Sequence, residues 1–124
     1  MELNFDNERP IYLQLIDILR IEIITGKLKS GEKIPSVREL SLKLKVNPNT
    51  LQKALMELER QKLIYTERTN GKFVTEDISL IEKVKREIAK DKVSNYLNSM
   101  KSIGVSFDEA INYIKEFGGK DGIN

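Results

Sequence analysis

Ser36-Val37-Arg38-Glu39-Leu40-Ser41-Leu42-Lys43-Leu44-Lys45-Val46-Asn47-Pro48-Asn49-Thr50-Leu51-Gln52-Lys53-Ala54-Leu55 holds two helix starts within twenty residues. Ser36 to Glu39 has the form of a capping box. The Ser36 hydroxyl accepts from the amide three residues on, and Glu39 reaches back to the Ser36 amide. Val37, Leu40 and Leu44 give the helix it opens an apolar stripe, which ends at Lys45-Val46. Asn47-Pro48 then restarts a helix, with Asn as N-cap and Pro in the first helical position. Its buried side is Leu51, Leu55 and Leu58, with Ala54 alongside and the stem of Lys62 behind. Two short helices, a two- to three-residue turn and an apolar Val46 in that turn make a helix-turn-helix pattern.

Working outward, Leu63 to Thr75 favours strand on both sides of Asn70-Gly71, a strong short hairpin signal. A two-residue loop would pair Thr69 with Lys72 and Glu67 with Val74, leaving Arg68, Asn70 and Lys72 at or near the tip. A hairpin directly after a helix-turn-helix is a wing. Upstream, Ile11, Leu15, Ile18, Leu19 and Ile23 lie on one helical stripe, begun by Pro10 and stopped by Gly26. Downstream, a long helix from Ile78 to Ile103 is stopped by Gly104. Ser106-Phe107-Asp108-Glu109 is a second capping box, and its helix ends at Gly118-Gly119, with the last five residues expected to fray. The expected architecture is mainly α with a small β-hairpin. Residues 1–77 form a winged helix-turn-helix, and residues 78–124 form a short two-helix region.

Composition narrows the chemistry. The chain has 124 residues and neither cysteine nor histidine, so it offers no thiolate nucleophile, imidazole base or zinc finger. No cofactor and no metal are expected. Glu57 and Glu59 point to different faces of a helix and make no catalytic dyad. Met1 to Asp6 lacks the apolar run of a signal peptide, and no stretch reaches the length of a membrane span, so a cytoplasmic protein is expected.

The net charge is only +2, but it is unevenly spread. Residues 1–26 carry 2 basic and 5 acidic groups, residues 27–75 carry 11 and 5, and residues 76–124 carry 8 and 9. A basic middle between acidic or neutral flanks suggests an anion-binding surface. If the leucines of the second short helix face inward, Asn49, Lys53, Met56 and Arg60 face outward, with Thr50 and Gln52 flanking near the helix start. Asn and Gln can pair with adenine, Lys with guanine, and the helix start favours phosphate. Arg38, just after Ser36, suits a backbone contact. Arg68 and Lys72 could reach phosphates or the minor groove.

These residues have a family likeness. Pro10-Ile11-Tyr12-Leu13-Gln14, Ile34-Pro35-Ser36-Val37-Arg38-Glu39-Leu40 and Val46 to Leu55 resemble the GntR family of bacterial transcriptional regulators, as do Leu58-Glu59 and Gly71-Lys72-Phe73-Val74. The short helical tail resembles the YtrA-like subfamily. The resemblance implies a winged helix-turn-helix that binds double-stranded operator DNA as a homodimer, most often as a repressor, in some cases beside a transporter operon. It implies DNA contacts from Arg38, from Asn47 to Lys53 and from Gly71. The DNA-binding set is thus Ser36, Arg38, Asn47, Pro48, Asn49, Thr50, Gln52, Lys53, Arg68, Gly71 and Lys72. The wing carries one glycine and one basic residue fewer than the R-x-G-x-G-like run of relatives. With 47 residues after Asp77, no enclosed effector pocket like that of larger members is expected.

The tail suggests self-association. Ile78–Ile103 makes about seven turns and Phe107–Phe117 about three, so the second helix cannot cover the first. Ile81, Val84, Ile88, Val93, Tyr96, Leu97, Met100, Phe107, Ile111 and Ile114 are the expected dimerisation residues. Two other readings stand beside the leading one. A winged-helix protein-interaction module would need a neutral or acidic recognition face, and a small enzyme would need catalytic side chains.

Overall fold

The computed structural model describes residues 5–119. Five helices and one two-stranded antiparallel sheet follow in the order α1 (Ile11–Ile24), α2 (Val37–Leu44), α3 (Pro48–Arg60), β1 (Ile64–Glu67), β2 (Gly71–Val74), α4 (Ile78–Ser102) and α5 (Phe107–Phe117). The chain groups into two units, one ending at Val84 and the other beginning at Lys85. The first turns of α4 therefore belong with the N-terminal unit, whereas the break was expected after Asp77. The expected fraying of the last five residues lies outside the described residues.

The core of the N-terminal unit is built on leucine. Leu51, Leu55 and Leu58 of α3 are buried with Ala54, against Leu15 and Leu19 of α1 and Leu40 and Leu44 of α2. Leu63, Ile64 and Val74 close the same core from the sheet side. Each large aliphatic side chain fully removed from water contributes about 1.5–3 kcal/mol. This stripe therefore sets how α3 is rotated about its axis.

Local signals place the helix ends. Asn47 caps α3 by accepting the Asn49 amide at 2.7 Å, and Pro48 occupies the first helical position. Ser36 caps α2 by accepting the Glu39 amide at 3.1 Å. The other half of that expected box is replaced: the Ser36 hydroxyl donates to Glu39 Oε1 at 3.2 Å. At Ser106 both halves of the box are present. Asp77 caps α4 by accepting from the Ser79 hydroxyl and the Leu80 amide, which in that order hold its carboxyl below the usual range. Gln14 ties down the approach to α1, with its amide oxygen accepting from the Asp6 N–H and its amide nitrogen donating to the Asp6 and Arg9 carbonyls.

The hairpin differs from the expected register. Ile64 pairs with Val74, Tyr65 with Phe73, Thr66 with Lys72 and Glu67 with Gly71, so the loop is Arg68-Thr69-Asn70. The Asn70 N–H donates to the Glu67 carbonyl and the Asn70 side chain to the Glu67 carboxylate, while Gly71 supplies a φ of +101°. Side-chain pairing decides the matter. This register sets buried Ile64 opposite buried Val74 and stacks Tyr65 on Phe73 at 5.6 Å, whereas the two-residue loop would oppose Glu67 to Val74.

The connector before α2 pairs with the outer edge of β2. Lys33 bridges Phe73, the Ile34 N–H donates to the Lys72 carbonyl, and the Val74 N–H donates to the Glu32 carbonyl. The wing is also anchored to α3. Thr66 Oγ1 donates to Glu59 at 2.6 Å, and Lys72 Nζ lies 3.0 Å from Thr66 Oγ1 and 3.5 Å from Glu59.

The stem of Lys62, expected in the α3 stripe, is not there. The helix stops at Arg60, Lys62 is exposed at φ +64°, and Leu63 fills the buried place. Lys45, ending α2, is likewise left-handed at φ +57°. Such conformations cost a side-chain-bearing residue about 1–2 kcal/mol, part of which glycine returns as unfolded-state entropy.

Two consequences can be measured. Lys62→Gly should raise stability by about 0.5–1 kcal/mol in urea unfolding. A loss would mean that the Lys62 side chain makes a compensating contact. Glu59 is the second case, because the Thr66 hydroxyl, then the Lys72 charge, lowers its pKa in the folded protein. Its contribution is present above the unfolded carboxylate pKa and is lost as pH falls through the lower folded value. Glu59→Gln should therefore cost less than about 1 kcal/mol at pH 7. In thermal melts the gap from wild type should close on acidification, and a gap that widened at low pH would contradict this anchoring.

Candidate nucleic-acid interface

The inward leucines leave α3 a polar outer side. Asn49, Lys53, Met56 and Arg60 are exposed there, and Thr50 and Gln52 are half-buried at its flanks. Asn47 and Pro48 are exposed at the start of the helix, where its unpaired amides gather. Ser36 and Arg38 are exposed in the first turn of α2, which packs against α3. Arg38 enters no ion pair among the described residues.

Three cations sit otherwise than spacing alone would place them. The Lys53 ammonium lies over the ring of Tyr12 in α1, 3.8 Å from its centroid, and so leans toward α1. A cation–π contact of this kind, on an exposed lysine, contributes about 0.5–1 kcal/mol and limits where the ammonium can go. Arg60 is forked onto Glu57 by hydrogen bonds of 2.8 and 2.7 Å, which lower the carboxylate pKa and raise that of the guanidinium. Lys72 is turned back to Thr66 and Glu59, with only 20% of its side chain exposed. Arg68 is left as the exposed cation of the loop itself.

The wing and the start of α2 face each other across an open cleft of about 550 Å³. Lys33, Ser36, Glu39, Asn70, Gly71 and Lys72 are on its walls. Ser36, Gly71 and Lys72, taken from separate motifs, are thus brought together. Lys33 joins them, although a lone lysine before Ile-Pro-Ser carries no motif. Only its pairing with β2 brings it to the wing.

The candidate dimerisation residues divide between the two units. Ile81 and Val84 are 8% and 7% exposed and serve the core of the N-terminal unit. In the C-terminal unit, Ala110 is fully buried, Ile88, Leu97, Met100 and Ile111 are half-buried, and Val93, Tyr96, Phe107 and Ile114 are exposed. Tyr96, Met100, Ile103, Tyr113, Ile114 and Phe117 line an open apolar cleft of about 580 Å³, with Tyr113 stacked on Phe117 at 5.8 Å. Among the described residues there is no group of three or more metal-ligating side chains, and no helix long and apolar enough to cross a membrane.

Comparison with known proteins agrees with this arrangement. Residues 11–74 match the family described as bacterial regulatory proteins, gntR family. The chain is 36% identical over 109 residues to the HTH-type transcriptional repressor YtrA of Bacillus subtilis, covering 86% of this chain and 83% of that protein. It superposes on a GntR family transcriptional regulator from Listeria monocytogenes with a TM-score of 0.84 at 42% identity, over 90% of this chain and 98% of that one. The DNA-binding domain of AraR, solved in complex with operator ORX1, aligns with a TM-score of 0.55 at 30% identity, over 60% of this chain and 96% of that one. With its winged helix-turn-helix and a family match over half its length, the chain belongs to the GntR family of DNA-binding transcriptional regulators, and is not an enzyme.

Proposed function

We propose that the protein is a repressor that binds a palindromic operator as a homodimer and controls genes beside its own, a transporter operon among them. The observation that carries the DNA-binding part is the start of α3. Its leucines are all committed inward, so Asn49, Thr50, Gln52 and Lys53 are presented together at a capped helix start, beside α2, whose Arg38 enters no ion pair among the described residues. In helix-turn-helix readers this part of the second helix enters the major groove. Asn49 and Gln52 then read base edges, while Ser36, Arg38, Asn47 and Pro48 lie against the backbone. Arg68 and Gly71 are the wing's part of the interface, and Lys72 shapes the wing from inside. The likeness to a domain solved on its operator supports this reading, and the similarity to a named repressor supports the sign of regulation.

The homodimer rests on the apolar surface of the C-terminal unit. Tyr96 and Ile114, 37% and 49% exposed, line the apolar cleft with Ile103 and Phe117, 72% and 71% exposed, and Val93 and Phe107 add exposed apolar surface elsewhere in the unit. Grouped apolar side chains of this kind mark an association surface, and two-fold pairing is the commonest way to cover one. A dimer would present two α3 helices to half-sites one DNA turn apart (~34 Å) or a multiple of it. The transporter assignment follows from the short-tailed subfamily the chain resembles, and footprinting upstream of the chain's own gene tests it.

Asn49→Ala should weaken binding to the footprinted site by about 1–3 kcal/mol and relax base preference at one position, with the melting temperature unchanged. Arg38→Ala should weaken binding to all sequences alike. Unaltered titrations for both variants would remove the starts of α2 and α3 from the interface. For assembly, Tyr96→Glu combined with Ile114→Glu should convert a dimer into a folded monomer in sedimentation at micromolar concentration. A wild-type monomer, or a double variant that still dimerises, would place self-association elsewhere.

A further inference from the structure

We propose that Lys33 contacts the DNA backbone, supplying from the connector before α2 a cation that the wing's own sequence lacks. The proposal rests on the operator-binding reading above and adds to it a residue outside the motifs that carry that reading.

Three observations converge on Lys33. Its backbone is fixed against β2: Lys33 bridges Phe73, and its neighbours Glu32 and Ile34 are hydrogen-bonded to Val74 and Lys72 at 2.9 and 2.8 Å. Its stem crosses Gly71 at the base of the wing loop, since a Cβ placed on Gly71 would come within 3.3 Å of Lys33 Cε. Gly71 thus has two duties, a φ of +101° and room for that stem. Finally, Lys33 is exposed and enters no ion pair among the described residues.

The charges nearby favour an anion at this place. Lys72, the basic residue of β2, is spent on Thr66 and Glu59. Lys33 stands on the same cleft as Ser36, at the start of α2. Among the described residues Glu39 is the one carboxylate lining that cleft, its Oε1 held by the Ser36 hydroxyl at 3.2 Å, and the Glu67 carboxylate beside the loop accepts from the Asn70 side chain. A lysine is a compact, strongly hydrated point charge without the fork that reads a base, which suits a phosphate. Phosphate contacts fix register without reading sequence, and a lysine at the foot of the wing could hold the wing against the groove in that way.

Salt dependence is the test, because each neutralised phosphate contributes about 0.9 to the slope of log K against log salt. The probe is a fluorescent duplex recovered by the wild-type full-length chain from a random-sequence pool. Lys33→Gln keeps most of the stem over Gly71 and removes the charge. It should bind more weakly, lower the slope by about 0.9, and lose about threefold more affinity at 50 mM than at 200 mM salt. Lys33→Arg should restore the slope, and Lys90→Gln, on α4, should leave it unchanged. A Lys33→Gln variant that loses affinity with the slope intact would mean a packing role, and equal slopes for Lys33→Gln and Lys90→Gln would mean only diffuse charge. Either overturns the inference. Full DNA affinity in Lys33→Gln would also overturn it and leave Lys33 to a protein partner. A wild-type chain that recovers no duplex overturns the operator reading itself, and this inference with it.

Discussion

The packing of Leu51, Leu55 and Leu58 against α1 and α2 is the constraint from which the rest of the N-terminal unit follows. A helix can turn about its axis at little cost until its apolar side is buried; after that, rotation would expose three leucines. The polar face of α3 is therefore fixed by residues that cannot touch a ligand. The same burial sets the direction in which the chain leaves α3, and with it where the sheet begins. Leu63 then continues the core immediately after the helix. Fold and candidate interface are two sides of one helix, and the apolar side sets the polar one.

Polar contacts refine that arrangement more than they create it. Glu59 joins α3 to the wing by taking the Thr66 hydroxyl and the Lys72 ammonium. Glu57 occupies Arg60, and the Tyr12 ring occupies one side of Lys53. Exposed pairs of this type are worth little as stability, but each removes a cation from the pool free to meet DNA. The basic residues of the central window are thus sorted. Among the described residues Arg38 and Arg68 enter no ion pair, whereas Arg60 and Lys72 are engaged within the chain. The number of basic residues alone overstates the cations free at the surface.

Much of this was legible in the sequence, for identifiable reasons. The α2 and α3 starts and the complete box at Ser106 were readable because capping is a local hydrogen bond between residues two or three apart. The leucine stripe was readable because helical period and burial agree. The hairpin register was not. Asn70-Gly71 signals a two-residue turn, but the pairing of Ile64 with Val74 and the Tyr65–Phe73 stack are cross-strand terms that local turn preference does not contain. The partners of Lys72 and Lys53 and the place of Lys33 were not legible, for one shared reason. Long flexible side chains go where a distant partner is, and Glu59, Tyr12 and Gly71 come near only after folding. The exposed side of α4 and α5 was legible only as an apolar surplus.

The connector beside β2 has a mechanical consequence. With Gly31, Glu32 and Ile34 hydrogen-bonded to β2 and the Ser30 hydroxyl to the Thr75 carbonyl, the wing's second strand has partners on both edges. Only the Arg68-Thr69-Asn70 loop extends past paired backbone. Local opening of such a strand must break two sets of bonds at once, so its amides should exchange slowly and together with those of the connector. A wing held in this way is ordered before it meets any partner. Little conformational entropy remains to be lost on docking, and the cost of fixing the loop falls on three residues.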